Sequence, residues 1–447
     1  MKKELREAFE SEMTKAKRLY SADDLSAAFH HLERAHILGQ RFYVPHVVSH
    51  WWMLKVGLKR SDLWEIFGQL MRIIASAGSL LGWVPAGNTG GANVSPIKPM
   101  PIPDDLASLL KDERAPSMIR FAFRIIAVAL IASLAFVALW LLRHNQKVAL
   151  IDAEWREQQE PQLANVGAVR DVTIQPLVNW HASDPTYATE AGVSYLLQAD
   201  GRAILFDLGS NKGKQAPSPL EANMALFQIS VDTIDSIFLS HHHFDHVGGR
   251  EWAARNTFSF GVHQPKLSEK IEIFAPIPLE YPGHPVTHIT APKVIAPGIA
   301  SIGPIKRQLL MGQIQEQALA LHVEGKGILL VIGCGHQTLR KIVSRTKAVF
   351  DAPIFAIVGD LHYPVPDGQM TLAGVNLQRT FASGGGLFSQ LTMADVEEDF
   401  DLLQSLDLEL LAMGSHDTSD TVLEMAARRF PGSFQRVEVG KTIKLTE

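Results

Sequence analysis

The sequence predicts an α/β domain whose helices flank two sheets, preceded by a small all-α domain and one transmembrane helix. Three observations predict it. From Val172 onward, short apolar runs (VTIQPLV, VSYLLQ, AILFDLG, SIFLS, ALALHV, ILLVIG and IFAIVG) are broken by Gly, Pro and Asp. Helical stretches such as TLRKIVSRT and MADVEEDFDLLQSL lie between them, a pattern of strands and helices packing in layers. Between Arg124 and Arg143 runs IIAVALIASLAFVALWLL, an uncharged stretch of about eighteen residues, enough for a helix to cross a bilayer. Upstream of it, apolar residues recur at helical spacing as far as about residue 106. A chain of 447 residues is too long for one ordinary core, so a division into units is expected.

The expected units are a helical domain over 1–117, a transmembrane helix over 118–143, a polar juxtamembrane stalk over 144–171 and the α/β domain over 172–447. In the first, Ser21-Ala-Asp-Asp24 can cap a helix carrying Leu25, Phe29, Leu32 and His36. Pro45 starts a second helix with His46, His50 and Trp51, and Leu63, Ile66, Phe67, Leu70 and Ile73 mark a third. The stretch GWVPAGNTGGANVSPIKPMPIPDDL, rich in Gly, Asn and Pro, is a loop. Glu33 and His36, three apart, and His46 and His50, four apart, can each share a helix face, a spacing that suits a metal. The favoured reading is a helical hairpin whose histidines hydrogen-bond internally.

Trp140 and the flanking arginines suit the two membrane interfaces. Lys111, Arg114, Arg120 and Arg124 outnumber Arg143, Lys147 and Arg156, so the positive-inside rule places the amino terminus in the cytoplasm and the α/β domain outside, in a periplasm if there is one. The formal net charge of -5 offers no basic field, so no nucleic-acid partner is expected. The lone cysteine, Cys334, excludes an intrachain disulfide.

The histidines carry the chemistry. Ser240-His-His-His-Phe-Asp-His246 follows the apolar strand SIFLS. His241 and His243, two apart on extended or turning backbone, can aim at one cation, and Asp245 and His246 can turn to a second. This motif resembles the His-x-His-x-Asp-His hallmark of the metallo-β-lactamase superfamily, matched by His241, His243, Asp245 and His246. The resemblance implies an αββα sandwich and gives roles to further residues. Asp207, in AILFDLGS, would orient the metal loop without ligating. His336, in GCGH, would complete the first site, Asp360 would bridge both ions, and His416, in GSHDTS, would complete the second. No residue is assigned to an organic cofactor.

Glu316-Gln-Ala-Leu319, then GCGH, then Val-Gly-Asp-Leu-His362 resemble the branch that includes dihydropterin ribofuranosyl-aminobenzene phosphate synthases. Asp360 and GSHDTS depart from that branch, so its pterin substrate is not carried over. Residues 10 to 106 resemble a small bacterial family of unknown function, and the partner of this part is unknown.

The implied mechanism uses two divalent ions, zinc first and manganese or iron as alternatives, to hold a hydroxide nucleophile near neutral pH. Asp245 would orient it and receive its proton. His362 would donate to a leaving group or oxyanion, substitute as a ligand, or merely pack, and Cys334 would be a small buried neighbour. The expectation is a membrane-anchored binuclear hydrolase of a small-molecule ester, lactone or phosphoester. A non-hydrolytic transferase of the pterin-synthase type and a metal-binding scaffold or sensor are the alternatives.

Overall fold

A computed structural model describes residues 1–81, 84–111, 118–310, 312–372, 374–384 and 390–445, with backbone alone for 81, 118–124 and 126–128. It divides into two compact units, Met1–Trp140 and Leu141–Glu447.

In the first unit, helices α1 (Lys3–Ser21), α2 (Leu25–Gly39), α3 (Tyr43–Arg60), α4 (Leu63–Ala75) and α5 (Asp104–Leu110) follow one another. Asp24 ends the turn before α2 because its carboxylate accepts from the free Ala27 N–H (3.1 Å). Leu5, Phe9, Leu32, Leu38, Met53 and Leu106 form the apolar core. Helix α4 is turned the other way. Its Glu65, Gln69 and Arg72 are buried, while Leu63, Trp64, Phe67, Leu70, Met71 and Ile74 are exposed.

Helix α6 (Met118–Glu157) contains the long apolar run. The side chains of Arg120, Arg124 and residues 126–128 lie outside the described residues, as does Arg114 altogether. Among the described residues no helix is long and apolar enough to cross a membrane. This overturns the expected transmembrane helix, and with it the single-pass anchor and the orientation built on it. Past Arg143, inside the second unit, the helix continues unbroken and packs on the rest of that unit. Asp152 pairs with Lys341 (2.8 Å) and Glu154 with Lys306 (2.8 Å), while Trp155 packs on the core.

The second unit is built on two sheets, each seven-stranded among the described residues. The first contains β1 (Val172–Val178), β2 (Ser194–Ala199), β3 (Arg202–Phe206), β4 (Ser236–Phe238), β5 (Glu272–Ala275) and β6 (Thr287–His288) in that order. The second starts from β7 (Lys293–Ala296) and β8 (Ile299–Ser301), and the hairpin β9 (Ile305–Leu309)–β10 (Gly312–Glu316) follows as a separate pair. β11 (Leu319–Val323), β12 (Gly327–Ile332) and β13 (Ile354–Gly359) continue the second sheet. After the short pair β14 (Thr371–Leu372)–β15 (Val375–Asn376), β16 (Leu410–Met413) and β17 (Phe434–Arg436) complete it, and β18 (Ile443–Lys444) pairs with β1.

Alternation along β12 explains the layers. Leu329 and Val331 join Ile174, Tyr195 and Phe206 of the first sheet in one core, whereas Ile328, Leu330 and Ile332 pack outward against the helix Leu339–Val349 and its neighbours. Both faces are covered, which is why the strand reads as a continuous apolar run. A third cluster covers the outer face of the first sheet, with Leu220 and Met224 from the helix Pro219–Leu226.

This topology also positions the chemistry. β3 and β4 run parallel, as do β12, β13 and β16. Asp207, His241, His336, Asp360 and His416 therefore all leave the carboxyl ends of parallel strands, where loops gather in α/β sheets.

Candidate metal centre

Five imidazoles meet at these strand ends. His241, His243 and His336 form one donor set, and Asp245, His246 and His416 form a second, with ligand atoms in each set within 4.8 Å of one another. The ring centroids of His241 and His246 are 4.0 Å apart, so the two sets adjoin.

The surroundings fix which nitrogen each ring offers. Asp207 Oδ1 accepts from Ser240 N (2.7 Å), and Oδ2 accepts from Ser240 Oγ (2.6 Å) and His246 Nδ1 (2.7 Å). The Ser240 hydroxyl has thus spent its proton, so at 2.9 Å it accepts from His241 Nδ1. His336 Nδ1 donates to Ala382 O (3.1 Å). All three rings then keep a lone pair on Nε2, and the Nε2 atoms of His241 and His336 are buried with no protein partner. Asp207 holds this pose from the left-handed backbone region (φ +55°) and is fully buried.

Electrostatics divides the sets. Burial, reinforced by neighbouring rings, holds His241 and His336 well below the usual histidine range and His243 down to about 4. Burial also opposes charge on His416, but Asp417 and Asp245 overcome it and raise that ring to about 10. His416 Nε2 lies 3.2 Å from Asp245 Oδ2. Neutral rings on one side and carboxylates on the other form a donor set that suits divalent zinc-like ions.

The profile of the Metallo-beta-lactamase superfamily matches residues 188–416, which span the motif and both donor sets. The chain belongs to the metallo-beta-lactamase superfamily. Residues 3–110 match a second family, described as a protein of unknown function (DUF3703). A curated relative from Methanocaldococcus jannaschii, 7,8-dihydropterin-6-methyl-4-(beta-D-ribofuranosyl)-aminobenzene-5'-phosphate synthase, is 21% identical over 341 residues, covering 63% of this chain and 99% of that protein. Among solved structures, a metal-dependent hydrolase of the beta-lactamase superfamily is 16% identical, covers 62% of this chain and 100% of its own, and has a TM-score of 0.39. A metallo-beta-lactamase fold protein from Bacillus subtilis is 15% identical, covers 61% of this chain and 99% of its own, and has a TM-score of 0.38.

Two carboxylates, Asp360 and Asp417, stand differently toward the donor sets. Asp360, expected as the bridge, is fully buried but spends its oxygens on the His416 loop. Oδ2 accepts from His416 N (2.9 Å) and Oδ1 from Thr418 Oγ1 (2.7 Å), and Asp360 joins neither donor set. Gly414 makes room for this contact, since a Cβ there would lie 2.5 Å from Asp360 Oδ2. Asp417, unassigned in the sequence, groups with Cys334 and His336. It accepts from His362 Nδ1 (3.1 Å) and Cys334 Sγ (3.2 Å), and from Gln378 Nε2. Its place directly after His416 in GSHDTS was the available signal.

Cys334 also groups with His241 and His246, with Sγ 3.0 Å from His246 Nε2. Burial and then the charge of Asp417 push this thiol well above its ordinary range. Glu316 holds the loop from below, accepting from Cys334 N and Gly335 N (both 2.9 Å). His362 leaves Nε2 buried without a partner and packs 4.4 Å from the His336 ring, centroid to centroid. A cavity of about 340 Å³ reaches this region through His243 and is lined also by Ile277, Gln313 and Gln315.

Proposed function

We propose that the chain is a hydrolase that uses two divalent ions, zinc in the first instance, to cleave a small-molecule ester, lactone or phosphoester. One observation carries this reading: two adjoining donor sets keep His241 Nε2, His336 Nε2 and Asp245 Oδ1 buried and unpartnered. Each such atom costs about 1–3 kcal/mol when left unsatisfied, a cost that bound cations offset. His241, His243 and His336 would hold one ion, and Asp245, His246 and His416 the other, with Cys334 and Asp417 within reach of both sets. When bound, the ions would supply Lewis acidity toward water and a substrate oxygen.

The chain's own residues do the rest. Asp245 Oδ1 can accept the proton of the attacking water, while Oδ2 keeps the carboxylate anchored near His416. His362, steadied through Nδ1 by Asp417, can carry a proton on Nε2 to the leaving group. Gln313 and Gln315 offer side-chain amides to a substrate in the cavity beside His243. Asp360 is a positioning residue that sets the His416 loop. Asp207 and Glu316 set the other two loops.

A second reading has its own support. The pterin-type synthase aligns over 99% of its length, so a transferase reaction on the same scaffold is the alternative. The test is turnover by the full-length chain, loaded with zinc, manganese or iron, on phosphodiester, lactone and thioester panels. Turnover on at least one class is expected, with Asp245→Asn lowering kcat by about 10²–10³-fold at retained fold. A chain that binds two ions yet turns over none of them sinks the hydrolase reading in favour of the synthase.

A further inference from the structure

A second histidine cluster lies in the amino-terminal unit. His36 of α2 and His46 and His50 of α3 are buried, and their ligand atoms lie within 4.8 Å of one another. Ring centroids are 4.6 to 4.9 Å apart. Packing of this kind satisfies rings only if their nitrogens find partners, and His36 Nε2 and His46 Nδ1 do not.

Hydrogen bonds to the outer nitrogens fix the tautomers. His36 Nδ1 lies 2.9 Å from Asn88 O, a carbonyl that can only accept, so Nδ1 carries the proton. His36 Nε2 is then a lone pair, and it is buried without a partner. Gln69 Nε2 donates to Glu65 Oε1 (2.6 Å) and Gly90 O (2.8 Å), which orients its amide. Gln69 Oε1 therefore accepts from His50 Nδ1 (2.6 Å), and His50 too presents a lone pair on Nε2. His46 Nδ1 is buried and unpartnered. Burial keeps His46 (about 4) and His50 (about 3) neutral at pH 7. The chain His50–Gln69–Glu65 is the kind of outer support that holds a ligating imidazole in place.

The reversed helix α4 belongs to the same arrangement. Turning Glu65, Gln69 and Arg72 inward exposes six large apolar side chains, an outcome that burial of apolar surface alone disfavours. The inward polar face serves the histidines. Gly90 presses on His36 from the other side, with φ +83° and a hypothetical Cβ only 2.8 Å from the ring. Glu33, which shares the α2 face with His36, is not in the cluster.

We infer that His36, His46 and His50 form a binding site for a zinc-like divalent transition-metal ion, separate from the lactamase centre. Three neutral imidazoles are the donor set of an open site, with a coordination position left for an outside ligand. A cavity of about 310 Å³ adjoins all three, lined by Arg72 and by Pro85, Pro96 and Ile97. Its one cationic side chain selects a small anion as that outside ligand.

The test is zinc content of the chain carrying His241→Ala, His246→Ala, His336→Ala and His416→Ala, which breaks every donor set of the lactamase centre. One zinc per chain is expected to remain, with X-ray absorption showing three nitrogen neighbours at about 2.0–2.1 Å. Adding His36→Ala should remove it. A chain with no zinc, or with zinc that survives His36→Ala, overturns the inference. Hydrogen exchange on the unmutated protein gives a reading that needs no variant to fold. Zinc against chelator should slow exchange in α2 and α3 at least tenfold, and no difference there overturns the inference equally.

Discussion

Both units bury clusters of histidine, and they stabilise them in opposite ways. In the lactamase centre, rings and carboxylates interleave: Asp207 receives His246, Asp245 sits beside His416, and Asp417 receives His362. In the amino-terminal cluster, among the described residues, no carboxylate hydrogen-bonds His36, His46 or His50. His50 reaches Glu65 only through the amide of Gln69, and His36 ends on a backbone carbonyl. The first arrangement suits a centre that must move protons as well as hold ions. The second keeps imidazoles neutral and rigid, which suits holding an ion with one position open. On these proposed roles, the nearest acidic groups, and not clustered histidine alone, set the chemistry.

The sharpest way to break this comparison is to disable one cluster and read both. His336→Ala removes a ligand from the set with His241 and His243, and turnover should fall by on the order of 10³-fold with loss of an ion. Zinc-dependent exchange protection of α2 and α3 should stay at the unmutated level. If that protection disappears as well, the two clusters are not independent and the assignment of a separate ion fails. Turnover and hydrogen exchange on the same preparation give both readings.

A smaller effect separates the two carboxylates of the lactamase centre. Asp417→Asn removes charge from the group that meets Cys334 and His362, so metal content and kcat should both drop, kcat by about a hundredfold. Asp360→Asn should retain the ions and cost about tenfold in kcat, because it only loosens the His416 loop. Rescue by Asp360→Glu is not expected, since Gly414 leaves no slack at Oδ2. Equal metal loss in Asp360→Asn and Asp417→Asn would restore Asp360 to the bridging place that the sequence suggested.

The proposed exchange of roles between Asp360 and Asp417 marks where sequence reading stops. The run from His241 to His246 is local, so spacing and the preceding strand were enough to single it out. Asp360 and Asp417 each stand near a strand end, and only the packing of the loop after β16 decides which oxygens face the rings. In α4, the apolar spacing of Leu63, Phe67 and Leu70 marked one face correctly but could not say that the opposite face is the buried one. The run IIAVALIASLAFVALWLL carried a hydropathy signal with no information about where its helix ends. The helix continues to Glu157 and its charged end is tied to Lys306 and Lys341.

The smallest expected effect sharpens the comparison through pH, on the full chain held metal-free with chelator. Burial lowers His46 to about 4 and His50 to about 3, with Arg72 nearby disfavouring charge further and Glu65 compensating Arg72. The unfolded chain therefore binds more protons than the folded one between those values and about 6.5. Stability from these rings is complete above about pH 6.5 and is lost as pH falls toward 3, at no more than about 1.4 kcal/mol per ring per pH unit. His416 has the reverse sign. Asp417 and Asp245 raise it to about 10 against burial, so its contribution is complete below about 6.5 and is lost as pH rises through 10. Moving from pH 6 to pH 8 should leave exchange in α2 and α3 as slow or slower, after correction for the intrinsic rate, while amides of Gly414–Thr418 exchange faster. Hydrogen exchange resolved by mass spectrometry reads both segments in one sample. If the two segments respond with the same sign, the carboxylates do not set the charge of the lactamase rings, and the contrast between the clusters is wrong at its root.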